Sequence, residues 1–207
     1  MRDFYATNWI DTILPVDGAQ EGTAALRRLG YRLVIITARN EHVRDASWEW
    51  VQRYFPGHFE GIICTSQFAN QQRLDGTVNQ TKVPPKKLSK AEVCIRIGAR
   101  LLIDDSLENA LACAEYFTPS GDCVPPPVLL FGGYQWNKRL SLYEDEHDDM
   151  AYARRVELAH GSTDFLVEDI RKGEEALARA NAKRLNFVQR VKDWREVVSC
   201  VQALVEL

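Results

Sequence analysis

Leu101-Leu102-Ile103-Asp104-Asp105-Ser106 is the stretch on which the reading of this chain turns. Three consecutive apolar side chains suit a short strand buried on both faces, as strands of parallel sheets are. Two adjacent carboxylates at the end of such a strand repel each other strongly in a low dielectric. The pair therefore asks for a cation. Magnesium fits, being a hard ion that takes oxygen ligands and is content with few protein carboxylates plus water and substrate phosphate. The plainer alternative makes Asp104 a loop residue and Asp105 the N-cap of a helix starting near Leu107.

Working outward, Ser89 can cap a helix over Lys90 to Ile97 that Gly98 ends, and Ser106 to Tyr116 reads as helix. Pro125 to Pro127 is rigid, and Val128 to Phe131 is one more apolar strand. Upstream, the spacing of Ala24, Leu26 and Leu29 predicts a helix that stops at Gly30. Tyr31 to Ile36 follows as a buried strand, Glu41 to Tyr54 as a helix broken by Pro56-Gly57, and Gly61 to Thr65 as a short strand. A polar loop spans Gln67 to Gln80. Helices alternating with short, nearly all-apolar strands predict an α/β fold, a doubly wound parallel sheet covered on both faces. Ligands of such sheets bind beyond the carboxyl ends of the strands. The residues there are Thr37-Ala38-Arg39, Thr65-Ser66-Gln67, Asp104-Asp105-Ser106 and Gly132-Gly133-Tyr134.

The tail differs in character. Glu144 to Met150 is acidic, Val156 to Leu185 is highly charged and helix-favouring, and Phe187 to Val191 with Trp194 to Val205 suggest an edge strand and a closing helix. The expected layout is a segment 1–14, an α/β core over 15–143, an acidic loop and peripheral helix over 144–186, and closing elements over 187–207.

Bulk properties bound the function. The 207 residues are enough for one ordinary domain with a buried core. With 45% apolar and 27% charged residues and a net charge of −3, neither disorder nor a field for nucleic-acid polymers is expected. The longest apolar runs, such as Leu33 to Ile36, fall far short of the roughly 20 residues of a membrane helix. The start, Met1-Arg2-Asp3-Phe4-Tyr5, carries no apolar core of a secretory signal, so a cytoplasmic location with no membrane partner is expected. Cys64, Cys94, Cys113, Cys123 and Cys200 are scattered without a C-x-x-C pair, which suits reduced thiols, Cys64 and Cys94 as core fillers.

Thr37, after a hydrophobic strand, can offer a hydroxyl and neighbouring backbone N–H groups to a phosphate. Lys90 stands at a helix start, where its ammonium can face an anion. The order Val34-Ile35-Ile36-Thr37-Ala38-Arg39, then Lys90, then Leu101-Leu102-Ile103-Asp104-Asp105-Ser106 resembles motifs II, III and IV of the haloacid dehalogenase superfamily, most closely its 5'(3')-deoxyribonucleotidase-like branch. The resemblance covers about Pro15 to Arg139, and Trp136-Asn137-Lys138-Arg139 and Val191-Lys192-Asp193-Trp194 look similar to closing segments of that branch. It implies a magnesium-dependent phosphomonoesterase acting on a small phosphorylated molecule. Thr37 would bind the transferring phosphoryl group, Lys90 would neutralise it, Asp104 would ligate Mg2+ directly, and Asp105 would support it. These roles suit phosphoryl transfer, which depends on positioning and charge compensation.

One departure limits what the chain is expected to do. The family's motif I, a hydrophobic strand ending in Asp-x-Asp that supplies the nucleophile, should precede Thr37. Asp3 and Asp11 follow polar or mixed residues and Asp17-Gly18 reads as a turn, so none fits. Downstream, Glu144-Asp145-Glu146, Asp148-Asp149 and Phe165-Leu166-Val167-Glu168-Asp169 lack the strand or the spacing. On this resemblance the chain begins inside the family's cap, with Phe4, Tyr5 and Trp9 as its remnant, and the core is N-terminally incomplete. A missing central strand would leave unpaired backbone, so an oligomer or a strand-donating partner is expected. The contrasting reading is a non-catalytic fold remnant that binds phosphate, metal or a partner protein.

Overall fold

The alternation of helices and short apolar strands is realised along the chain. The computed structural model describes residues 12–39, 41–65, 88–116, 124–134, 137–138, 152–182 and 187–205. In order the elements are α1 (Ala19–Arg28), β1 (Leu33–Thr37), a 3-10 turn (Glu41–Val43), α2 (Arg44–Tyr54), β2 (Phe59–Cys64), α3 (Lys90–Arg96), β3 (Leu102–Asp104), α4 (Leu107–Ala114), β4 (Val128–Phe131), α5 (Tyr152–Leu158), α6 (Phe165–Ala182), β5 (Val188–Val191) and α7 (Trp194–Val205). The fold is α/β with parallel strands, and these lie in two small sheets, one ordered β1-β2 and the other β3-β4-β5. The chain gathers into two compact units, one running up to Ile97 and taking in the segment from Asp193 onward, the other Gly98–Lys192.

In the first unit α1 ends as its sequence dictates. Gly30 adopts φ 88°, its N–H bonds Arg27 O, and Tyr31 N–H reaches back to Leu26 O at 3.1 Å. Only a residue free of a Cβ takes that left-handed turn cheaply. The chain then enters β1, whose Ile35 packs with Phe59 of β2 against buried Ala19, Val51 and Phe55. Thus α1 and α2 cover one face of the sheet. Alternation turns Val34 to the other face, and it is 37% exposed. Burial of β1 on both faces, expected from its composition, is therefore not found at Val34. On the covered side α7 packs against α1, and Gly22 makes room for it. A Cβ there would lie 2.7 Å from the Trp194 ring.

In the second unit β4 is the middle strand, and Val128, Leu129 and Leu130 are fully buried, as an unbroken apolar run in a parallel sheet should be. The outer strand β5 is closed off by a side chain. Asn181 of α6 accepts from Val188 N–H at 2.8 Å and donates to Val188 O at 3.0 Å, which imitates a neighbouring strand. The charged tail is two helices, not the single helix expected over 156–185. His160 and Gly161 both take positive φ and break it. The two helices are tied by Arg155, whose guanidinium makes a two-point pair with buried Asp169 at 2.6 and 3.0 Å and stacks 4.2 Å over Phe165.

Of the expected cap segment only residues 12–14 are described. Phe4, Tyr5, Trp9, the Gln67–Gln80 loop, Cys123, Trp136 and the acidic stretch Glu144–Met150 lie outside the described residues.

Candidate functional site

Asp104 is the last residue of β3 and 6% exposed, a position where a carboxylate must be met by donors. Two converge on its Oδ1, the backbone N–H of Ser106 at 3.0 Å and the side-chain amide of Asn109 at 3.1 Å. Both come from the first turn of α4 and its cap. That cap is Ser106, whose Oγ accepts the Asn109 backbone N–H at 3.2 Å and donates to Glu108 Oε2 at 2.8 Å. The alternative in which Asp105 caps this helix is thereby overturned. A cap residue needs its side-chain oxygen over the N-terminal N–H groups, and Ser106 occupies that place. Asp105 is instead exposed beside the buried carboxylate.

Thr37 is the last residue of β1. Its hydroxyl accepts the backbone N–H of Arg39 at 3.2 Å, and its carbonyl accepts the N–H of Thr65, just beyond β2, at 2.9 Å. Arg39 extends to Oγ of buried Ser47 at 3.3 Å, and Arg44 Nε donates to Ile62 O at 3.4 Å. The register sets Thr37 opposite Cys64. Burial pushes the Cys64 thiol up, a shift opposed by Arg44, reinforced by Glu41 and opposed again by Arg39. A thiol that is fully buried and held protonated is a core residue, in keeping with its sequence reading. The Thr65 hydroxyl, in a residue only 2% exposed, has no hydrogen-bond partner among the described residues. An unmet buried hydroxyl costs about 1–3 kcal/mol.

Lys90 opens α3 behind a complete capping box. Ser89 Oγ accepts Glu92 N–H at 3.2 Å, and Glu92 Oε2 accepts Ser89 N–H at 2.6 Å. This helix packs against β1. Thr37 and Lys90 thus belong to the first unit, Asp104 and Asp105 to the second.

Among the described residues no group of three or more His, Cys, Asp or Glu side chains is placed to hold a metal ion. Two neighbouring carboxylates nevertheless suit magnesium by type. That ion binds one or two carboxylates and completes its octahedron with water and phosphate oxygens.

Sequence reasoning placed Thr65 at a strand end without a role, and it missed Asn109 and a contact between a buried Asn137 and a partly buried Arg190 beyond the end of β4. Asn137, fully buried, donates to Phe131 O and Gly132 O at 2.8 Å each, and Arg190 of β5 donates to Asn137 O at 3.1 Å. The readable signal for Asn109 is its place three residues after a capping Ser, in the first helical turn facing the strand end.

Set against protein-family models, curated proteins and solved structures, the chain matches none. Among the described residues no helix is long and apolar enough to cross a membrane.

Proposed function

We propose that this chain is the phosphate- and magnesium-binding core of a phosphohydrolase of the haloacid dehalogenase type, nucleotidase-like, whose own residues bind the phosphorylated ligand without turning it over. The finer fold reading, a doubly wound core of that type, belongs to the same proposal. Its main support is Asp104 at the carboxyl end of a parallel strand, its Oδ1 fixed by Ser106 and Asn109. Ligands of α/β sheets collect at such ends. Thr37 stands at the carboxyl end of its own strand, β1, in the first unit.

In this reading Thr37 binds the phosphoryl oxygens and Lys90 offsets their charge. Asp104 is the direct magnesium ligand and Asp105 supports it. Magnesium, when bound, supplies charge neutralisation for the phosphate. No Asp-x-Asp occurs in the sequence to supply the family's nucleophile, which is why binding is proposed without turnover. Among the described residues β3 pairs with β4 alone, and a strand donated to its other edge is the partner that the reading expects.

The test is hydrolysis of an aryl phosphate by the purified chain with magnesium. The expected result is no turnover above buffer. Magnesium-dependent turnover abolished by Asp104→Asn would overturn the non-catalytic part of the proposal.

A further inference from the structure

We infer that the Thr65 hydroxyl is a further contact for the phosphoryl group that Thr37 binds, an inference that rests on the phosphate-binding reading above. Three observations carry it. Thr65 lies immediately beyond the carboxyl end of β2, one register step past the residue opposite Thr37, and its backbone N–H is held by the Thr37 carbonyl at 2.9 Å, so the two backbones are adjacent at the carboxyl ends of their strands. Its side chain is buried, yet its Oγ1 meets no donor or acceptor among the described residues. Among the described residues only Arg190 Nε shares that condition among buried side-chain polar atoms. A valine would fill the same space without leaving a polar atom unmet, whereas a hydroxyl there is useful to a ligand that accepts hydrogen bonds.

The chemistry favours an oxyanion over a neutral ligand. Arg39 and Arg44 both act electrostatically on Cys64, the residue before Thr65, with Glu41 opposing them. A phosphoryl group offers several acceptor oxygens, so one oxygen can take the Thr65 hydroxyl while another takes that of Thr37.

The experiment measures thermal unfolding of the full chain against inorganic phosphate with magnesium present, for the wild type, Thr65→Val, Thr65→Ser and Thr37→Val. Thr65→Val is expected to melt no lower than the wild type without phosphate and to need about tenfold more phosphate for the same shift, the loss of one hydrogen bond to a charged group. Thr65→Ser should behave as the wild type. If Thr37→Val weakens the phosphate response and Thr65→Val leaves it unchanged, the role of Thr65 is refuted while the phosphate site stands. If phosphate stabilises none of these proteins, the underlying reading fails and the inference with it.

Discussion

Asn109 reaches back five residues to donate its side-chain amide to Asp104 Oδ1 at 3.1 Å, which joins the first turn of α4 to the end of β3. The same carboxylate oxygen takes the Ser106 N–H, so helix and strand are locked around it. Replacing Asn109 by Ala removes one of these donors. The expected loss is about 1–3 kcal/mol of stability in urea unfolding. If Asp104 ligates magnesium as proposed, the affinity read by titration should fall about 10-fold or more, as expected for a residue that orients a metal ligand. Unchanged values for both would mean that Asn109 does not orient Asp104.

Gly22 and Trp194 hold α1 and α7 together at a distance that admits no Cβ. Alanine in mid-helix ordinarily stabilises by about 0.5–1 kcal/mol over glycine. Here the overpacking cost of about 1–3 kcal/mol wins. Gly22→Ala should therefore lower stability, and adding Trp194→Leu should recover part of the loss, as read by the midpoint of chemical unfolding.

Arg155 faces a carboxylate that is almost wholly buried. Arg155→Ala strands Asp169 without its partner and removes the stacking on Phe165. A broken buried pair costs about 3–5 kcal/mol. Urea unfolding should show a loss of that order, and a loss within about 0.5 kcal/mol, the scatter of an ordinary surface substitution, would contradict the structure of this clamp.

Among the described residues Cys64 carries a pH dependence that burial dictates. Its thiol is raised above the ordinary range, so the unfolded chain ionises first as pH rises. The stabilisation is whole below the unfolded thiol value of about 8.5 and is lost progressively above it, up to the higher folded value. Mass mapping of alkylation at about pH 8.5 should find Cys64 protected in the native chain and modified after unfolding. Equal modification rates in both states would refute its burial.

Much of this architecture was legible in local sequence because local chemistry decides it. Val128–Phe131 and Trp194–Val205 form the strand and helix that their patterns predict, and Ser89 caps α3 as its place before Lys90 suggests. What the pattern could not supply was pairing. Strands as alike as β1 and β3 carry nothing that says which neighbour each takes, and they fall in separate sheets where one was expected. The break at His160 and Gly161 was hidden by helix-favouring residues on both sides. At the candidate site the carboxylates and threonine were readable from their strands. The position of Thr65 was readable too, but the contact of Asn109 and the unmet hydroxyl of Thr65 were not, because they depend on what a side chain meets, or fails to meet, once the chain has folded.

In the proposed function Asp104 belongs to a site where magnesium and phosphate bind together. Its most direct test is calorimetric titration of inorganic phosphate into the full chain, with and without magnesium, for the wild type and Asp104→Asn. Phosphate binding by the wild type is expected to strengthen about tenfold or more with magnesium, and that of Asp104→Asn is expected to show no such strengthening. Phosphate binding indifferent to magnesium in the wild type, or an equal magnesium effect in Asp104→Asn, would contradict it.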